Sequence, residues 1–217
     1  YSHSAGRDTV AGGDTSYAGG NSTIVKGSSS FAHGYENICN GHSSYSFGNS
    51  CQVDGSNSSA CGYDSTAVGS YSHALGTHAV ANANKSFAFG NNATADGLSS
   101  FALGNYTTAK GEDSFVLGRY NSTDSSGTYA YIFGNGTSSK RSNAHTLDWD
   151  GNAWFAGEVY IGPNNEVLVT KAYVDEAIAN ASLGGGSDVS DSGVIEDSEF
   201  DDLISDTFGP EYVNKDE

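Results

Sequence analysis

Methionine is absent from this 217-residue chain, proline occurs twice, and charged residues make up only 16% of it. Together with 29 glycines, that balance does not describe an ordinary mixed α/β enzyme. Basic residues are scarce: 9 Lys and Arg stand against 26 Asp and Glu, for a net charge of −17. Such a surface repels phosphate backbones and anionic bilayers, so neither nucleic-acid binding nor membrane insertion is expected. No stretch approaches the ~20 apolar residues of a membrane-spanning helix, and no charged start leads into an apolar core as in a secretory leader. The chain opens at Tyr1 in mid-repeat, which predicts an excerpt from a longer polypeptide. The three cysteines, Cys39, Cys51 and Cys61, fall in different columns of the repeat, and none lies fourteen residues from another. They read as small apolar fillers, and a disulfide framework is not expected.

What is present is a register. Glycine returns every seventh residue from Gly6 to Gly118, with one lapse at Ala83, and serine returns every fourteenth from Ser16 to Ser114. A period held without insertion over eight cycles means one small unit stacked many times, so function is read from columns of residues. The regular spacing and an aromatic content of 12% argue against disorder over this region.

The segments Ser86-Phe87-Ala88-Phe89-Gly90 and Ser100-Phe101-Ala102-Leu103-Gly104 alternate small with large residues. A strand places such residues on opposite faces. The second half of each rung carries its own slim column, Val25, Cys39, Val53, Ala67, Ala81, Ala95 and Ala109. Two seven-residue strands per turn are predicted, forming a flattened all-β parallel roll of 14-residue rungs. Its narrow interior has room only for small side chains, so the Ser, Ala and Gly columns point inward.

The bulky columns then point outward. One sheet displays Tyr17, Phe31, Tyr45, Phe47, Leu75, Phe87, Phe89, Phe101, Leu103, Phe115 and Leu117; the other displays Lys26, Asn40, Asp54, Asn82, Asp96 and Lys110. An apolar stripe over eight rungs exceeds what a soluble monomer normally exposes. Self-association about an axis parallel to the roll buries it, with two or three copies both compatible with the pattern. The polar column and its turns remain as the receptor-facing candidates, with plain solvent-facing spacer as the competing reading.

The Ser-x-Ala-x-Gly half-rungs over about residues 1–136 resemble the YadA-type head of trimeric adhesins. The resemblance implies a left-handed parallel β-roll whose outward hydrophobic columns meet at a trimer axis. Phe and Tyr stand where that family often has smaller aliphatics, and His73 and Ser59 interrupt the aromatic column.

Past Gly118 the register slips at Ser125-Ser126-Gly127, and one more half-rung at Tyr129-Ala130-Tyr131-Ile132-Phe133-Gly134 reads as a terminal capping turn. Thr146 to Gly162 reads as strands around an Asp-Gly-Asn turn. Both tryptophans lie there, which predicts a β-rich neck over 137–168 with its own small core. This neck and the following Val169 to Ile178 resemble a module near the ends of phage and prophage tail fibres. Thr170 caps a predicted helix over 169–183 whose Val174, Ala177, Ile178 and Ala181 form one apolar face. The resemblance implies a short trimeric coiled coil there; the local pattern alone is equally consistent with packing on the neck. Residues 184–217 form a Gly-rich linker and an acidic tail, read as solvated or partly helical around Phe200, Leu203, Ile204 and Phe208.

No catalytic constellation emerges. Asp148, Asp150 and Glu158 sit near a turn, where carboxylates usually form the turn itself. No histidine pair has zinc-site spacing, and a ring of His73 about a symmetry axis reads more simply as a polar interruption of the seam. The Gly-Gly-x-Gly-x-Asp pattern of calcium β-rolls is missing, and sequons such as those at Asn21, Asn92 and Asn105 arise readily at Asn-rich turns. No enzyme activity, cofactor or metal is therefore expected.

The expectation is a homotrimeric fibre segment of a virion, a phage or prophage tail-fibre protein that attaches to a bacterial surface glycan or protein and joins other tail-fibre or baseplate proteins. A trimeric autotransporter-type adhesin on the bacterial cell surface is the alternative, and a fibre-borne glycan depolymerase the third reading.

Overall fold

The computed structural model describes residues 1–157 together with the antiparallel strand pair Tyr160–Ile161 and Glu166–Val167. The expected helix over 169–183 and the acidic tail lie outside the described residues. Tyr1–Val159 and Tyr160–Glu217 are separate compact units.

The first unit is an all-β parallel solenoid with fourteen-residue spacing. Five-residue strands such as His3–Arg7, Tyr17–Asn21 and Phe101–Asn105 pair in parallel with their equivalents one rung away, Tyr17 on Phe31 and Phe87 on Phe101. They build a 12-stranded sheet, and two-residue strands such as Ile24–Val25 and Thr94–Ala95 build an 8-stranded one.

The two halves of a rung are thus unequal, where equal seven-residue strands were predicted. In the short half, two successive amides converge on one carbonyl, as Lys26 and Gly27 do on Cys39 O at 2.8 and 3.3 Å, and the regular ladder ends there. The long half runs through its glycine in an extended conformation open only to glycine, with Gly48 at φ 131°.

Each corner is turned by a residue two places after the glycine, in the left-handed region: Asp8, Thr15, Ser22, Ser29 and so on every seventh residue to Tyr120. That conformation costs a non-glycine residue about 1–2 kcal/mol. Its return is a reversed amide. Ser22 N donates back to Arg7 O at 2.8 Å, whereas Tyr17 N donates forward to Ser30 O. Every corner from Ser22 to Tyr120 therefore keeps a bond to the preceding rung instead of leaving an orphaned group.

The interior is as narrow as the sequence requires. Ala18, Ala32, Ala60, Ala74, Ala88 and Ala102 are fully or almost fully buried, as is the second-sheet column from Val25 to Ala109. Buried serines satisfy the turns: Ser30, Ser44 and Ser58 donate to the glycine carbonyl of the next rung, and Ser44 N donates to Ser30 Oγ at 3.1 Å. Asn37 works similarly, donating to His33 O and Gly48 O and accepting from Cys51 N.

At the far end the pairing step grows from fourteen to sixteen residues, with Phe115 on Tyr131. The Asp124 carboxylate gathers the extra loop, accepting from Ser126 N, Ser126 Oγ and Tyr129 N. Tyr129–Asn135 is the expected last half-rung. The chain then reverses into Asn143–Asp148 and Ala153–Phe155, which continue the same sheet as antiparallel strands. Asp148 forms the intervening turn by accepting from Asp150 N, Asn152 N and Asn152 Nδ2. A small neck core was expected around the tryptophans, but Trp149 and Trp154 are each 55% exposed. Trp149 sits in the turn itself, and Trp154 pairs with Thr146 on the face that carries buried Ile132 but lies on the last strand of the sheet, where no further strand covers it among the described residues.

Candidate functional site

Strand alternation decides which side chains the roll presents. With alanine, or Ser46 and Val116 in its place, buried at the second position of the long strands, its two neighbours must face outward, and all eleven aromatic and aliphatic residues assigned to that face do so. Tyr45, Phe47, Phe87, Phe89 and Phe115 are exposed, and Tyr17, Phe31, Leu75, Phe101, Leu103 and Leu117 are half-buried by neighbours in their own columns. Parallel pairing sets equivalent rings one rung apart, so they stack: Tyr17 on Phe31 at 4.9 Å, Phe87 on Phe101 at 5.6 Å, Phe101 on Phe115 at 5.0 Å. Each such pair contributes about 0.5–1.5 kcal/mol beyond area burial.

Histidines join this stack, beginning with His3 on Tyr17 at 5.4 Å. His33 packs against Phe47 at 5.9 Å, and His73 lies over Phe87 at 4.7 Å, its ring nitrogen 2.8 Å from Ser59 Oγ. Burial among these neighbours lowers the His73 pKa. Cys61 occupies the outward column between Phe47 and Leu75, whereas Cys39 and Cys51 are buried. Burial pushes the Cys39 thiol up to about 11 and raises the other two.

Beside the outward columns runs the glycine column. Bare backbone there leaves a shallow apolar groove of about 670 Å³ bounded by Phe89, Leu103, Phe133 and the Arg119 stem. The glycines are needed for stacking as well as for the groove: a Cβ on Gly104 would run into the carbonyl oxygen of Gly118 in the next rung.

The second face is polar at the positions singled out for receptor contact. Lys26, Asp54, Asn82, Asp96 and Lys110 are exposed and Asn40 is half-buried. Two pairs join along the axis: Asn40 Nδ2 donates to Asp54 Oδ1 at 2.7 Å and Asn82 Nδ2 to Asp96 Oδ1 at 2.6 Å. Val68 interrupts the column and is 43% exposed. These contacts make the column a partly self-satisfied ladder, with Lys26 and Lys110 at its ends.

Sequence reasoning passed over several surface aromatics. Tyr35 and Tyr63 stand just beyond the glycine column, and the half-buried Tyr106 and Tyr120 stack at 4.6 Å at the same corner of successive rungs. Fourteen-residue spacing between Tyr106 and Tyr120 was the available signal. Of the carboxylates weighed for catalysis, Asp148 is committed to its turn, whose hydrogen bonds lower its pKa. Among the described residues, no group of three His, Cys, Asp or Glu is arranged to hold a metal ion.

The model of the YadA head domain repeat family matches residues 62–81, 71–93, 81–107 and 95–121. No curated protein matches the chain. The matched segments fall on consecutive rungs with the small-inside, large-outside alternation described above, and the rungs across residues 62–121 are YadA-type head repeats.

Proposed function

We propose that this chain is the head segment of a trimeric, surface-exposed adhesin-type protein, with the aromatic face buried at the trimer axis and the opposite face turned to the environment. The observation that carries this reading is the mismatch between interior and exterior. The largest fully buried side chains are Ile132 and the valines at 25, 53 and 116, while Tyr45, Phe47, Phe89 and Phe115 lie in water. Completing the burial of a half-exposed ring contributes roughly 1 kcal/mol or more, so a seam over many rungs offers a large driving force that a lone chain forgoes. Three copies bring the same face together about one axis and leave the polar ladder outside.

A tail fibre of a virion is the second reading. Its support is the resemblance of the stretch ending in Val169 to Ile178, which lies outside the described residues. Both settings place the roll outside a cell and give it the same work, holding a binding surface at a distance.

Sedimentation of the purified full chain tests the assembly. A mass of three protomers is expected, and Phe101→Asp combined with Leu103→Asp should abolish it. Lys26→Glu with Lys110→Glu should leave it intact. An unchanged trimer in the first variant, or dissociation in the second, would overturn the assignment of the faces.

A further inference from the structure

We infer that the cleft between the last regular rung and the Asp148–Asn152 turn is a saccharide-binding site, walled by Trp149 and selective for neutral hexoses or N-acetylhexosamines. The inference rests on the adhesin reading for its biological sense, but the site lies within one chain and does not require the trimer.

The cleft exists because the repeat breaks here. The two residues added between Phe115 and Tyr131 let Ser125, Ser126 and Gly127 form a loop beside Gly111. Glycine at 111 lets that loop approach closely, since a Cβ there would stand 3.1 Å from Gly127 Cα. The loop in turn holds the indole: Trp149 Nε1 donates to Gly127 O at 3.1 Å. The ring is oriented by this bond yet stays 55% exposed. The resulting space, about 490 Å³, falls in the ~300–1,000 Å³ range of small-molecule sites.

Its chemistry is that of sugar recognition. A tethered indole offers an apolar plane to the C–H face of a pyranose. Around it stand Lys110, Glu112 and Asp113, all exposed, none in an ion pair among the described residues. Two carboxylates accept from ring hydroxyls, an ammonium donates to a hydroxyl or an acetamido carbonyl, and Ser125 can do either. The local excess of negative charge and the chain's −17 oppose sialic acids, uronic acids and phosphosugars. The second tryptophan supplies a contrast: beside Trp154, Asp148 already spends its oxygens on the turn. Three such sites on one rod would turn a weak single contact into useful avidity.

With only two tryptophans in the chain, Trp154→Phe leaves Trp149 as the sole indole reporter. The full chain carrying that change would be titrated with an N-acetylglucosamine trimer, galactose- and glucose-terminated trisaccharides, and a sialylated trisaccharide. The expected result is a saturable emission change with at least one neutral sugar. It should weaken at least ~10-fold in the added Glu112→Gln, Asp113→Asn pair, with no response to the sialylated sugar. With Trp154 retained, Trp149→Ala should lose retention on the immobilised sugar while its sedimentation stays unchanged. No response to any neutral sugar, a preference for the sialylated one, or retention that survives Trp149→Ala would overturn the site. A monomeric chain that still responds through Trp149 would sink the trimer reading and leave this one standing.

Discussion

Ser59 Oγ lies 2.8 Å from His73 Nδ1, across one rung step in a column where Tyr45 and Phe87 stand on either side. The pair fills an aromatic column with a hydrogen bond instead of a ring stack, and its neighbours in the column carry no charge to stabilise an imidazolium.

Burial lowers the His73 pKa from 6.5, so between the folded and unfolded values the unfolded chain binds the extra proton. The stability contributed by neutral His73 is therefore present above about pH 6.5 and lost as pH falls below it toward the lowered folded value. Melting temperature should drop on acidification through this window, and His73→Phe should remove part of that dependence while keeping a ring stacked on Phe87. An identical acid slope in the variant would show that other groups carry it.

Glycine serves two purposes that an alanine scan separates. Gly104 has φ 132° and faces the Gly118 carbonyl, so Gly104→Ala combines forbidden backbone with collision and should cost about 3 kcal/mol or more. Gly97 has no unusual φ, and its column already holds Ala83. There the structure adjusts: Gly69 N reaches Ala81 O at 3.5 Å, against 3.2–3.3 Å for Gly27, Gly41, Gly55 and Gly97. Gly97→Ala should accordingly cost about 1–2 kcal/mol. Equal losses by chemical denaturation would mean that collision alone decides.

The register, the buried Ser and Ala columns, the outward rings and the final half-rung at Tyr129–Gly134 were all legible, because a repeated small-large alternation has one way to fold into a narrow roll. The corner residues were not. Thr15, Glu36, Tyr71, Lys85 and Asp113 share a left-handed backbone but no side-chain chemistry. Their conformation follows from their place in the rung, and from Ser22 onward it is held by amides reaching the preceding rung, which local preference does not encode. The unequal strands were hidden for the same reason, since both half-rungs carry glycine at the same interval. The small core expected around both tryptophans did not form because Trp149 falls in the turn and Trp154 on the last strand of the sheet, places that the hairpin sequence does not reveal.

Tyr71 tests the corner cost. It holds φ 59° with a bulky side chain that is 57% exposed, so little burial depends on its ring. Asparagine tolerates this region far better and occupies the equivalent corner one rung earlier, at Asn57. Tyr71→Asn should raise stability by about 0.5–1 kcal/mol, read as a shift of the denaturation midpoint without a change of slope. A loss instead would show that the tyrosine ring makes a contact worth more than its backbone strain.

Cys61 tests the symmetry of the seam. It sits in the outward column between Phe47 and Leu75, so a trimer formed on this face brings three copies of it to one level of the axis. Cys39 and Cys51 are buried, and with burial raising both thiols they should stay inert. A short bismaleimide at mildly alkaline pH, where more of the Cys61 thiol is ionised, should yield covalent dimers only. Because a third thiol at the same level has no partner, roughly one chain in three should remain unlinked. A two-fold assembly would go to complete dimer, and Cys61→Ser should abolish the product in either case. An assembled protein whose Cys61 reacts with a monofunctional maleimide but never cross-links would place the seam away from the aromatic face.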